Sequence, residues 1–169
     1  MDANSLRALQ APLKARYAAD PSDARVTLRA TGSVDEQTIS CKVDTGRALA
    51  VAGLHPATGG TGLELCSGDM LLEALVACAG VTLKAVATAL EIPLETAKVS
   101  AEGDLDFRGT LGVERTVQVG FSAIRLTFDV TSDAPQDKLD TLLRLTERYC
   151  VVLQTLSVPP ALDVQLNRC

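Results

Sequence analysis

Tryptophan is absent from this 169-residue chain and aromatic residues make up only 3% of it, although 47% is hydrophobic. A chain of that length and apolarity can bury the core of one globular domain, and Leu, Val and Ala must fill it. Basic residues are too few for a nucleic-acid surface. The 16 Lys and Arg are scattered among 21 acidic residues, the net charge is −5, and no basic stripe appears. There is a single histidine, His55, and the five cysteines are separated by 25, 12, 72 and 19 positions. An odd count at that spacing resembles neither a secreted disulfide framework nor the close pairs of a zinc site, so no metal and no tightly held cofactor is expected. In a reducing cytosol most of these thiols should be free.

Other absences narrow the field further. The start, Met1-Asp2-Ala3-Asn4-Ser5-Leu6-Arg7, carries an acid and no long apolar core, so it does not read as a secretory signal and a cytoplasmic location is expected. Ala74 to Leu83 is the only strongly apolar helical stretch, and its ten residues are too few to cross a bilayer, so no membrane partner is expected. Gly59-Gly60-Thr61-Gly62 lacks the Lys-Ser/Thr ending of a phosphate loop and reads as a flexible rim. No repeat, low-complexity tract or long linker divides the chain.

The patterning that remains is that of one α+β domain over residues 25–169, preceded by an arm or short helix over residues 1–24. From Arg25, Val26, Leu28 and Ala30 alternate as a strand, Gly32-Ser33 marks a turn, Thr38 to Val43 forms a second strand and Ala48 to Gly53 a third. A long Gly- and Thr-rich loop, Leu54 to Leu65, then carries His55; loops of that length in compact domains tend to be functional. Ser67 or Asp69 can cap a helix running to about Leu90, along which Leu72, Leu75, Val76, Ala79, Leu83, Val86 and Leu90 recur at helical spacing. Ala97 to Phe107 and Thr116 to Val130 read as two long strands around a turn at Arg108 to Gly112. Asp133 is the expected cap of a second helix, with Pro135 in its first turn and Leu139, Leu142, Leu143, Thr146 and Cys150 along one face. The apolar run continues from Val151 to Leu156 until Pro159-Pro160 stops it, and Ala161 to Leu166 alternates as a last edge strand. The order is βββ-α-ββ-α-β. The first helix is apolar nearly all round from Ala74 to Leu83, which one sheet would not cover and a second subunit could.

Two cysteines fall on these helical faces. Cys78 lies in Asp69-Met70-Leu71-Leu72-Glu73-Ala74-Leu75-Val76-Ala77-Cys78, and Cys150 in Arg148-Tyr149-Cys150-Val151-Val152-Leu153-Gln154-Thr155-Leu156. A buried thiol either packs as a small hydrophobe or, beside a charged or polar group, becomes a reactive thiolate. The first run resembles the helix E-L-L-L-A-A-L-x-A-C of the OsmC/Ohr family and the second its C-P-V-x-x-T-L segment, in the same element order, over roughly Arg25 to Leu166. The resemblance implies an interlocked homodimer in which two six-stranded sheets wrap around paired central helices, with active sites shared between subunits. It implies that Cys78 is a peroxidatic thiolate that attacks the O–O bond of an organic hydroperoxide and becomes a sulfenic acid, and that Cys150 resolves it to a disulfide. A dithiol then resets the pair; the family commonly uses lipoylated proteins. An arginine and a glutamate activate the thiolate in that family. Asp69 stands where the glutamate would fall, one methylene shorter, and Arg16 and His55 are candidates for the cation, with Arg47 after them. Val151 replaces the family's proline.

Simpler roles account for other residues. Cys41, Cys66 and Cys169 read as a strand, a loop and a tail residue without chemistry. Glu73 and Asp69 suit the positive end of a helix dipole, and Arg144 and Arg148 the negative end of the next. Two functions from other classes compete with a peroxidase: a non-catalytic protein of the same fold that binds a small hydrophobic ligand between subunits, and a thiol-based redox sensor.

Overall fold

A computed structural model of the chain describes residues 2–19, 31–34, 40–44 and 49–168. The chain opens with helix α1, Ala3–Ala19, followed by strands β1, Thr31–Val34, β2, Ser40–Asp44, and β3, Leu49–Gly53. A 3-10 turn over Pro56–Thr58 leads to the short strand β4, Leu65–Cys66, and directly into helix α2, Ser67–Ala89. Strand β5, Thr96–Asp104, the single helical turn α3, Phe107–Thr110, and strand β6, Ala123–Thr131, come next. Helices α4, Gln136–Tyr149, and α5, Val151–Ser157, complete the order.

The six strands lie in two sheets. β1 to β4 form a four-stranded sheet in sequence order, antiparallel up to β3 and parallel between β3 and β4, while β5 and β6 form an antiparallel ribbon. One chain thus supplies, among the described residues, a sheet of four strands and one of two, whereas the six-stranded sheets implied by the family resemblance belong to a dimer. The strand read over Val26 to Ala30 lies outside the described residues. The turn read at Gly32-Ser33 is instead inside β1, where Gly32 pairs with Val43 and Ser33 with Lys42. A short edge strand tolerates both residue types, because its pairing rests on main-chain groups.

α2 starts without the side-chain cap expected from Ser67 or Asp69. Cys66, extended at φ −80° and ψ 130°, precedes it and makes no capping bond. It is held in place as the partner of Gly53 across the β3–β4 ladder, so the strand feeds the helix directly. Asp69 contributes only its charge to the first turn. At the far end Glu91 takes a left-handed φ of 56°, and the Ile92 N–H reaches back to the Ala87 carbonyl at 2.8 Å, the long bond of a Schellman turn.

The long strands are shorter than the alternation implied. Asp106 accepts the Arg108 N–H at 3.0 Å and caps α3, which ends the first strand before Phe107. Residues 111–122 are irregular, so β6 begins at Ala123 rather than at Thr116. Phe121 lies across Gly103, where any Cβ would meet its ring, so the glycine in β5 admits an aromatic cover. α4 begins after Pro135 and not at Asp133; Ser132 takes the local bonds, accepting from the Ala134 N–H and donating to the Pro93 carbonyl. The expected edge strand over Ala161 to Leu166 is not formed. Leu162, Val164 and Leu166 are 86%, 90% and 99% exposed, because alternation only prepares a strand and a ladder needs an edge to pair with.

Leu75, Ala79, Leu83 and Ala87, four residues apart in turn, form the buried spine of α2. Its C-terminal half packs with Ile92 and Leu142 under Val99, Phe128 and Val130. Its N-terminal half encloses Cys150 under Ala101, Ile124 and Leu126. Each large side chain so buried stabilises the fold by about 1.5–3 kcal/mol. α2 as a whole is longer than its ten most apolar residues, and by length and composition alone its 23 residues could cross a membrane. Its spine, however, is packed against β5, α4 and α5. A second apolar stripe of the same helix is open: Leu71, Ala74, Ala77 and Val81 are exposed, Val81 to 73%.

Candidate redox site

Cys78 sits midway along α2, one step round from the spine, and is partly buried. Cys150 is the hinge between α4 and α5. Its backbone is extended, at φ −72° and ψ 104°, so the apolar run read as continuous from Leu139 to Leu156 breaks there into two helices. Both helices use the hinge: the Cys150 N–H donates to the Thr146 carbonyl at 2.9 Å, and its own carbonyl accepts the Gln154 N–H at 2.9 Å. The Gln154 side chain ties the pair together by donating to the Glu147 carbonyl at 2.9 Å. Cys150 is fully enclosed, at 0% exposure.

The break leaves the first N–H groups of α5 without helical partners, and they face Cys78. Burial pushes the Cys78 thiol up. The Val152 N–H, the Cys150 thiol, the Val151 N–H and the Thr82 hydroxyl act in the other direction, and together they bring the thiol below its ordinary value. Thr82, one turn on, holds its hydroxyl 2.8 Å from the Cys78 carbonyl and beside the sulfur, so that its single proton can go to the carbonyl while the thiol is protonated and swing to the sulfur when it ionises. Cys150 goes the opposite way. Burial raises it first, and a neighbouring Cys78 thiolate raises it further, against the Leu153 and Val152 N–H groups. Of the pair, Cys78 is therefore the thiol that gives up its proton first, with Cys150 holding its own and donating to it.

Within the chain Cys78 and Cys150 are brought together, whereas Asp69 and His55 make their contacts elsewhere. Asp69 precedes Cys78 by nine positions, two and a half turns, which places it on the opposite side of α2 and about 13 Å along its axis. It is exposed there beside Glu73 and Val76. His55 stacks on Phe107 with centroids 4.8 Å apart, and its Nδ1 accepts the Ala57 N–H at 3.0 Å. Arg16 falls within α1, with its side chain outside the described residues, as is the whole of Arg47. Cys66 ends β4, while the side chain of Cys41 and all of Cys169 lie outside the described residues. No three His, Cys, Asp or Glu side chains among the described residues are grouped so as to hold a metal ion.

Val151, Val152 and Thr82 are the contributors that residue chemistry alone does not announce, two of them through main-chain atoms. A proline at 151, as in the motif the segment resembles, would have no N–H to offer. Two cavities of mixed lining lie in the same half of the molecule, neither of them lined by Cys78 or Cys150. One of about 490 Å³ lies between Leu83, Phe128, Leu139 and Leu142, with Asp129 and Asp140 at its edge. One of about 430 Å³ lies over Ile124, Leu126 and Leu153 with Glu147 at its rim.

Residues 60–165 match the family described as OsmC-like protein. No curated protein matches the chain. Among solved structures, the OsmC-like protein of Mycoplasma pneumoniae superposes with a TM-score of 0.65 at 17% identity, covering 79% of this chain and 89% of that one. The organic hydroperoxide resistance protein OsmC of Legionella pneumophila gives 0.61 at 15% identity, over 79% and 93% of the two chains. The organic hydroperoxide resistance protein of Bacillus subtilis gives 0.52 at 19% identity, over 79% and 93%. At these identities the likeness is one of fold.

Proposed function

The chain belongs to the OsmC-like protein family, and from that premise we propose that it is a thiol-dependent peroxidase that reduces organic hydroperoxides. The observation that carries this reading is the apposition of Cys78, held below its ordinary thiol value, with a buried Cys150 that stays protonated. The Cys78 thiolate attacks the terminal peroxide oxygen, the O–O bond breaks, and the alcohol leaves with a proton; the sulfur becomes a sulfenic acid. The Cys150 sulfur then attacks that sulfenic acid, water departs, and a disulfide remains. A dithiol, carried on a lipoylated protein in the family's manner, returns both sulfurs to thiols. Main-chain N–H groups of Val151 and Val152 take the part of an activating cation, which is why neither His55 nor Asp69 is needed at the sulfur.

The open stripe of α2 supports a homodimer, since Leu71, Ala74, Ala77 and Val81 would otherwise face water. A cytoplasmic site of action suits a thiol pair that must be reduced between turnovers. The cavity of about 490 Å³ favours a second reading, in which the protein binds a small hydrophobic ligand without chemistry. Titration of free thiols after addition of cumene hydroperoxide separates the two. Rapid loss of two thiols is expected in the native protein, none in Cys78→Ser, and a sulfenic acid without a disulfide in Cys150→Ser. Unreactive thiols in the native protein would refute the peroxidase.

A further inference from the structure

The two sulfurs differ in access. Cys150 presents no surface: its own chain encloses it, with Leu75 and Ala79 of α2 and Ile124 and Leu126 of β6 against it. The neighbouring cavity over Ile124, Leu126 and Leu153 is closed off from it, since the residue is 0% exposed. Cys78 is partly open and borders the exposed Ala74, Ala77 and Val81. A second subunit would add cover to that stripe but could not uncover Cys150.

We infer that the oxidised site is reduced from one side only, the reductant attacking the sulfur of Cys78 and expelling Cys150. This rests on the peroxidase reading. In the first step a reductant thiolate forms a bond to the Cys78 sulfur as the Cys78–Cys150 bond breaks, and the electron pair leaves on Cys150, which takes up a proton. In the second, the other thiol of the dithiol attacks the reductant's own sulfur in the mixed disulfide, closing a cyclic disulfide and releasing the Cys78 thiolate. Two electrons pass from the dithiol to the protein.

Leaving-group chemistry alone would favour the reverse choice, because the better-stabilised thiolate departs faster and that is Cys78. Access decides against it. A thiolate must approach in line with the disulfide bond, and Cys150, 0% exposed within its packed cluster, offers no open side for that approach. The reductant thus enters by the path the peroxide uses, which makes the two half-reactions mutually exclusive at one opening.

The test uses the full chain oxidised with one equivalent of cumene hydroperoxide, with the internal disulfide verified by peptide mapping. The monothiol 2-mercaptoethanol is then added together with excess iodoacetamide, and the reaction is quenched with acid. At least tenfold more mercaptoethanol adduct on Cys78 than on Cys150 is expected, with the alkyl group on Cys150. Equal or greater adduct on Cys150 overturns the inference while leaving the peroxidase reading intact. A disulfide that the monothiol leaves untouched also overturns it, since an open Cys78 must react. If no Cys78–Cys150 disulfide forms, the peroxidase reading fails and this inference with it.

Discussion

One helix carries two apolar faces with opposite fates. The spine of α2, Leu75, Ala79, Leu83 and Ala87, is satisfied by β5, β6, α4 and α5 of the same chain, whereas Leu71, Ala74, Ala77 and Val81 are left open. Both faces read alike as apolar residues, so hydrophobicity does not separate them. What separates them is where the rest of the chain can reach. Cys78 lies between the two, close enough to the closed side to meet the α5 amides and itself only partly covered.

The contrast can be broken first on its closed side. Leu75→Ala should destabilise the fold by about 2–5 kcal/mol, because the packed surroundings of a 0% exposed leucine cannot collapse into the space. Thermal unfolding measures it, and a loss below about 1 kcal/mol would mean the spine is looser than described. On the open side, Val81→Lys replaces a side chain 73% exposed in the chain. Its expected effect on unfolding of the separated chain is within about 0.5 kcal/mol, while a dimer built on this stripe should dissociate, as sedimentation would show. An unchanged dimer would place the partner elsewhere.

The smallest effect sharpens the border itself. Because the Cys78 thiol lies below its ordinary value, its anion should persist as pH falls past the point where an exposed thiol protonates, and fade only below that. Thr82→Val keeps the shape and removes the hydroxyl. The midpoint for Cys78 alkylation should move up and the rate at pH 7 should fall by about two- to threefold, the lower end of what one hydrogen bond contributes. No movement would assign the stabilisation to the Val151 and Val152 amides and the Cys150 thiol.

Periodicity made α2, α4, β5 and the C-terminal part of β6 legible, because each has one face buried within the chain. It carried Cys78 and Cys150 onto those faces as well. It missed the α4–α5 break, since Cys150 is as apolar as its neighbours and the bend shows only in its extended backbone. It extended β6 back to Thr116 because Val117 and Val119 alternate, yet Val119 stays 61% exposed and no partner strand lies opposite. The activating groups were sought among charged side chains, of which that of Arg16 lies outside the described residues; two of the four neighbours that favour the Cys78 anion are backbone N–H groups, which every residue but proline possesses and no composition reveals.

The apposition of Cys78 and Cys150 also bears on the unfolded chain. A bond between them closes a loop from residue 78 to residue 150, and the lost chain entropy of so long a loop is on the order of 4 kcal/mol. Against the 5–15 kcal/mol that typically holds a domain together, each turnover would alternate a sturdier oxidised molecule with a softer reduced one. The protein that has just met its oxidant would then be the one better protected from unfolding and proteolysis, and the supply of reductant would govern its lifetime as well as its activity.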